Sequence, residues 1–229
     1  MINFIIGFLS IVSTYGVYLL SKKVHQKWDF TFTFPVILST VIIILILLVM
    51  RIPYEIYMIG GKWINELLGV AVVALAYPLY QQRENLKKLA LPIISGTLIG
   101  AAVGVSTGTL FAKVMGFEDI LIHSLSPKSV TAPVAMSVAD TVGGLPTLAV
   151  VFVMIAGFGG VFLKPIIYKV CRINHVVGKG VGIGSASHAI GTASALESSL
   201  LEGSVSTIAM VVSAVVVSLI TPGLVNVLL

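Results

Sequence analysis

Two polar stretches concentrate the side chains of this chain that can bind a small anion or move a proton. The first runs Ser126-Pro127-Lys128-Ser129-Val130-Thr131-Ala132-Pro133. The second runs Gly184-Ser185-Ala186-Ser187-His188-Ala189-Ile190-Gly191-Thr192-Ala193. Each joins helix-breaking residues, hydroxyls and one cationic or cationisable residue, between long apolar segments. Lipid admits irregular backbone only where protein or a water-filled cavity surrounds it. A Lys at membrane depth costs roughly 2.5–3.5 kcal/mol on insertion scales and usually marks a function.

The chemistry on offer is recognition of a small carboxylate. Ser126 before Pro127 has the form of an N-cap with proline at the first helical position. A helix starting there aims its free N–H groups and positive dipole end forward. Lys128 adds a full charge, and Ser129 and Thr131 add neutral donors. In the second stretch Ser187, His188 and Thr192, followed by Ser194, supply hydroxyls and an imidazole. A protonated His188 can donate to a carboxylate or change charge during a cycle. Its plainer reading is a hydrogen-bonded buried imidazole that holds the segment together. Asp140 and Glu197 follow the two stretches as candidate proton-coupling carboxylates, and Glu202 closes the second. Each can equally serve only to balance charge.

Other chemistries fit less well. The run Gly178-Lys179-Gly180-Val181-Gly182-Ile183-Gly184 allows close backbone approach and unusual torsions. It lacks the spacing and the flanking strand of a phosphate-binding loop. The string Gly104-Val105-Ser106-Thr107-Gly108 has G-x-S-x-G spacing but lies inside an apolar run rather than at a strand-to-helix turn. No nucleophile elbow therefore supports a serine hydrolase built on His188 with Asp140 or Glu197. No Cys, His and carboxylate cluster has metal-ligand spacing. We therefore expect no enzyme, no cofactor and no metal site.

The elements that must position these residues are membrane spans. Hydrophobic residues make up 57% of the 229 and charged residues 10%, against about 25% charged in a soluble domain. With a mean hydropathy of +1.08, this is an integral membrane protein. The net charge of +5 comes mostly from Lys and Arg in short loops, a topology signal rather than a nucleic-acid surface. A lone Cys171 excludes an internal disulfide and is read as inert. Spans of about 20 apolar residues cross as helices, and six segments qualify: 2–20, 32–50, 64–80, 89–112, 145–168 and 205–228. The first lacks a basic leader and is followed by Lys22, Lys23 and Lys27, so it reads as a retained helix. Tyr54, Tyr57 and Trp63 with Gly60-Gly61 suit a turn with interfacial anchors before the third span. Pro78, late in that span, is a candidate kink.

With these spans alternating, Lys22, Lys23, Lys27, Arg83, Lys87, Lys88, Lys164, Lys169, Arg172 and Lys179 share one side, and Arg51, Lys62 and Lys113 the other. The positive-inside rule puts the larger set in the cytoplasm and both termini outside. That count holds only if 120–144 dips in and returns. Re-entrant hairpins are therefore expected, the first entering from outside and the second, 180–203, from the cytoplasm. A discontinuous helix that crosses is the alternative. Residues 128–137 also align without a gap on 188–197: a cation, small and β-branched residues, a hydroxyl, then a helical run. Opposed broken helices of this kind mark the inverted repeats of many secondary transporters. The expected fold is an all-α integral membrane protein with about six transmembrane helices plus two opposed hairpins. It forms a single polytopic domain, 1–229, with scaffold helices in 1–80 and a transport core in 89–229.

Four strings carry a family resemblance: the first polar stretch, Gly143-Gly144, the 186–193 part of the second stretch, and Val72-Val73-Ala74-Leu75-Ala76-Tyr77-Pro78-Leu79-Tyr80. They resemble the LrgB/CidB membrane protein family over essentially the whole chain. Ser194 departs from the pattern, standing where that family often has Arg or Lys, and Ser126 replaces the usual Leu. The resemblance implies a multi-pass protein of the bacterial cytoplasmic membrane, assembling as a homo-oligomer and acting with a small LrgA/CidA-type membrane partner. It implies one of two functions. One is carriage of small monocarboxylates, such as pyruvate, glycolate or glycerate, by alternating access. The other is antiholin-like or holin-like modulation of murein hydrolase activity and autolysis.

Overall fold

The computed structural model describes residues 2–28, 33–74 and 76–229, without the side chains at positions 2, 68, 71, 72 and 78. The expected kink at Pro78 concerns a side chain outside that set, and Phe32 and Leu75 also lie outside it. The described residues form helices and no strands: α1 (Ile2–Trp28), α2 (Pro35–Val49), α3 (Tyr54–Ala74), α4 (Ala76–Gln81), α5 (Arg83–Lys88), α6 (Ala90–Val114), α7 (Asp119–Leu125), α8 (Ala132–Thr141), α9 (Pro146–Val170), α10 (Val176–Ser198) and α11 (Leu200–Leu228).

Four of them, α1, α6, α9 and α11, are long and apolar enough to cross a membrane, and they correspond to four of the six expected spans. The protein is an all-α membrane protein. The expected second span is the 15-residue α2, about 22 Å of helix against a hydrocarbon core of about 30 Å. The third expected span starts earlier than its hydropathy indicates. Tyr54, Tyr57, Gly60, Gly61 and Trp63 lie inside α3 rather than in a turn. The glycines are there for proximity: a Cβ on Gly60 would overlap the carbonyl oxygen of Gly7 and sit 2.7 Å from Ser10 Cβ. Small residues let helix backbones approach this closely in membranes. Tyr57 adds a 3.0 Å hydrogen bond between its hydroxyl and Thr14 Oγ1.

The chain divides into two compact units, Met1–Ala76 and Tyr77–Leu229. In the first, α1 packs on α2 and α3. In the second, α11 packs along α10 and α6, and α9 packs on α7, α8 and α10. Polarity in the second unit is inverted relative to a soluble protein. Ser187, Ser204, Ser206 and Ser213 are fully buried, while Phe111, Ile155, Ile166 and Leu219 are exposed. Such a surface suits a lipid solvent.

Both polar stretches are hairpins. In the first, the Leu145 backbone N–H donates to Ser124 Oγ at 2.8 Å, 21 positions away. A Cβ on Gly144 would lie 2.7 Å from the Ser124 nitrogen. The chain thus returns to where it left. A straight helix would by then be about 30 Å distant, so the crossing alternative is not the form adopted. In the second, α10 carries non-helical torsions at His188, φ 40° and ψ −133°, and the helix folds back there. Before the break, Gly180 lies against Glu202 and Val205, and Gly184 against Ser206. After it, Leu196 lies against Gly203 and Thr192 bonds Ser206. The two legs therefore run in opposite directions along the same stretch of α11.

Candidate functional site

The two hairpins converge on one face of α6. Gly96, Gly100, Gly104 and Gly108 recur every four residues and so share that face. A Cβ on Gly96 would meet Val181 at 3.2 Å, and one on Gly100 would meet Ser185 Oγ at 3.2 Å. These contacts belong to the first leg of the second hairpin. Farther along, a Cβ on Gly104 would lie 3.7 Å from Ser129 Oγ, and one on Gly108 would overlap Lys128 Nζ. These belong to the first hairpin. The hairpins thus approach from opposite ends of α6, and their polar tips come within one helical turn of each other along it.

The first tip is built differently from its expected form. Ser126 does not N-cap a helix. Its backbone N–H bonds the Ile122 carbonyl and its Oγ donates to the His123 carbonyl at 2.8 Å, closing α7. Lys128 and Ser129 lie in the following turn. The helix restarts at Ala132, with extended Thr131 as its N-cap and Pro133 in its first turn. Proline is tolerated there because first-turn N–H groups have no intrahelical partner. The Thr131 side chain makes no cap bond, so α8 directs its free donors toward the tip, as expected, but from a start several residues later. Half-buried Lys128 donates from Nζ to the Gly104 carbonyl at 3.0 Å, which engages one of its three protons. Ser129 is buried.

At the second tip the glycines do not make the break. Gly178 to Gly184 are helical, and the missing side chains of Gly180 and Gly184 admit α11. The one residue of α10 at positive φ is His188, which is 2% exposed. A strained non-glycine backbone costs on the order of 1–3 kcal/mol and survives where its surroundings over-determine it. Here they do: Nε2 of His188 bonds the Val153 carbonyl of α9 at 3.0 Å. Gly157 makes room for the ring, since a Cβ there would lie 2.9 Å from Nε2. Gly160 does the same for Ser187, whose Oγ a Cβ would overlap. Ser187 is fully buried, and its hydroxyl has no hydrogen-bond partner among the described residues. Thr192 bonds Ser206 Oγ at 2.9 Å. Val130, at the first tip, belongs to the same buried cluster as Val153, whose carbonyl holds His188.

Asp140 and Glu197 are exposed, away from both tips. A residue counted among the loop cations proves internal: Lys164 lies inside α9, where Pro165 does not end the helix. Its Nζ donates to Ser194 Oγ at 3.0 Å and Ser198 Oγ at 3.2 Å, and faces Glu202 Oε1 at 3.9 Å. A cation thus reaches Ser194 from the neighbouring helix. Hydropathy alone does not find it, because a Lys near the end of an apolar run reads as a loop residue. No His, Cys, Asp and Glu cluster among the described residues could hold a metal.

Two broken-helix hairpins, opposed along a shared glycine face and carrying buried polar groups at their tips, define a multi-pass membrane protein built around an internal polar site. The LrgB-like family matches residues 14–227, and the chain belongs to that family. It is 45% identical over 217 residues to YxaC of Bacillus subtilis (strain 168), covering 95% of this chain and 94% of that one. It is 36% identical over 223 residues to the holin-like protein CidB of Staphylococcus aureus (strain Mu50 / ATCC 700699), covering 97% of each. YwbG of Bacillus subtilis (strain 168) is 34% identical over 221 residues, covering 96% of this chain and 98% of that one. No solved structure matches.

Proposed function

We propose that the chain carries small monocarboxylates across the bacterial cytoplasmic membrane by alternating access, with pyruvate the first substrate to test. The observation that supports this reading is the approach of the two hairpins along α6, with Ser129 and Lys128 at the Gly104 and Gly108 turns and Ser185 at the adjacent Gly100 turn, while Ser187 and His188 at the second tip are held against α9. A carboxylate held there meets one ammonium, several neutral donors and the free N–H groups of α8. Charge-assisted bonds of this kind are about twice as strong as neutral ones. Ser187 and His188 are packed away in this conformation. Admission of a substrate therefore requires one hairpin to move against α6, and opposed hairpins allow access from alternate sides.

The names of the relatives favour a second reading more than the first. CidB of Staphylococcus aureus is called holin-like. On that account this chain would modulate murein hydrolase activity and autolysis together with a small LrgA/CidA-type membrane partner. Such a scaffold has no need of Lys128 at the tip of an internal hairpin.

One experiment separates the two. Purified chain in proteoliposomes, with and without the small partner, is assayed for uptake of labelled pyruvate. Saturable uptake that unlabelled monocarboxylates compete away is expected from a carrier. No uptake in either preparation, with changed autolysis in cells lacking the chain, would leave the holin-like reading.

A further inference from the structure

We propose that Glu202, facing Lys164, is the proton-binding site that drives the carrier; this rests on the carrier reading above. Glu202 is 6% exposed in the first turn of α11, at the base of the second hairpin where both legs pack. Its Oε1 is buried and has no hydrogen-bond partner among the described residues. The nearest cation, Lys164 Nζ, is 3.9 Å away, beyond hydrogen-bond reach. That ammonium is instead bonded to Ser194 and Ser198 on the second leg of the hairpin.

A buried carboxylate in this setting has two ways to be satisfied. It can take a proton and become neutral, or it can draw the ammonium off the two serines into a full ion pair. The two are alternatives, because a neutral Glu202 leaves Lys164 on the hairpin leg and an ionised one competes for it. Protonation of Glu202 and the hold of α9 on the moving leg are therefore linked. The rest of the charged neighbourhood consists of Tyr168 on α9 and of Lys179 and Glu197 on α10. Of the other helices packed on α11, α6 and α8 bring Lys113 and Asp140, both toward its opposite end. Helix α5, whose Leu86 shares a buried cluster with Val205, carries Arg83, Glu84, Lys87 and Lys88, all exposed. Asp140 and Glu197 are exposed and do not report on the hairpin in this way. One proton bound at Glu202 per monocarboxylate anion makes the cycle electroneutral, the proton leaving as the carboxylate re-forms.

The test uses the full chain in proteoliposomes. An acid-outside gradient should drive accumulation of labelled pyruvate by the wild type, with protons disappearing from the external medium. Glu202→Gln should lose the accumulation and the proton movement yet keep counterflow, the exchange of internal unlabelled for external labelled pyruvate. If it loses counterflow too, Glu202→Asp decides. Gradient-driven uptake by that variant supports the site, and its absence overturns it. Accumulation by Glu202→Gln, or uncoupling by Asp140→Asn or Glu197→Gln in its place, also overturns it. An infrared comparison of acid and alkaline samples needs no transport. It should show a protonated-carboxyl band that Glu202→Gln removes. The band without any wild-type uptake or counterflow overturns the carrier reading and leaves the proton site, while uptake without the band overturns the site and leaves the carrier.

Discussion

Gly108→Ala separates the position of the Lys128 ammonium from its presence. A Cβ at 108 would overlap Lys128 Nζ and lie 3.2 Å from its Cε, with no other contact within 4 Å. Non-bonded atoms settle at about 3.5 Å or more, so the ammonium must retreat by about 1 Å. That takes it off the Gly104 carbonyl, which it now reaches at 3.0 Å. The moving atoms are the end of a flexible, half-buried side chain, so the stability lost is about 1 kcal/mol, the worth of one hydrogen bond. A positioning group displaced by that distance can cost on the order of 10²-fold in rate, or about 2.7 kcal/mol. The expected result is uptake of labelled pyruvate lowered by on the order of 10²-fold, with a thermal midpoint in detergent close to wild type. Lys128→Ala should abolish uptake while still inserting, and adding Gly108→Ala to it should change nothing further, because the two act through one atom. Wild-type uptake by well-inserted Gly108→Ala would falsify the assignment of Lys128 to the site.

Three further outcomes follow from the same geometry. Gly160→Ala places a methyl on Ser187 Oγ and should cost about 1–3 kcal/mol of thermal stability, most of it relieved in a Ser187→Ala background, where the remaining contact is 3.0 Å to Cβ. Equal cost in both backgrounds would separate the second tip from α9. Both termini should label from outside in single-cysteine variants made on Cys171→Ser, and labelling only after permeabilisation would reverse the orientation. Cysteines at Thr131 and His188 should be joined by a short cross-linker, since donors to one carboxylate lie within roughly 10 Å of each other. A pair that no short linker joins removes the composite site.

Much of this arrangement was legible in the sequence because a hydroxyl, a cation and a proline inside an apolar run have few structural explanations. The places where local signals misled have physical causes. Two prolines, Pro127 and Pro133, each fit a helix start after a hydroxyl residue. The Ser126 hydroxyl, turned back onto the His123 carbonyl, leaves Thr131 and Pro133 to form the start. Glycine in a sequence stands for either an unusual torsion or a close neighbour. At Gly60, Gly180 and Gly184 it is the neighbour, and only the partner helix reveals it. Conversely, the torsion itself falls on His188, whose side chain gives a local reader no reason to expect it. Lys164 was obscured by Pro165, which looks like the end of a helix but lies inside α9.

The glycine face of α6 bears on which of the two functions fits the chain. Small residues bring helices close in any membrane assembly, and a carrier in addition needs parts free to move against each other. Here four glycines in register face parts that belong to both hairpins, so α6 offers them a nearly featureless wall. A wall without side chains holds each hairpin in contact while leaving translation along the helix sterically open. It also makes the two hairpins neighbours on one surface, with Ser185 at the Gly100 turn and Ser129 at the Gly104 turn. On the carrier reading proposed above, movement of one hairpin against α6 would open the site to one side. It needs no large change in the helices that form the frame. The polar groups gathered at the tips then have a purpose that a static assembly would not give them.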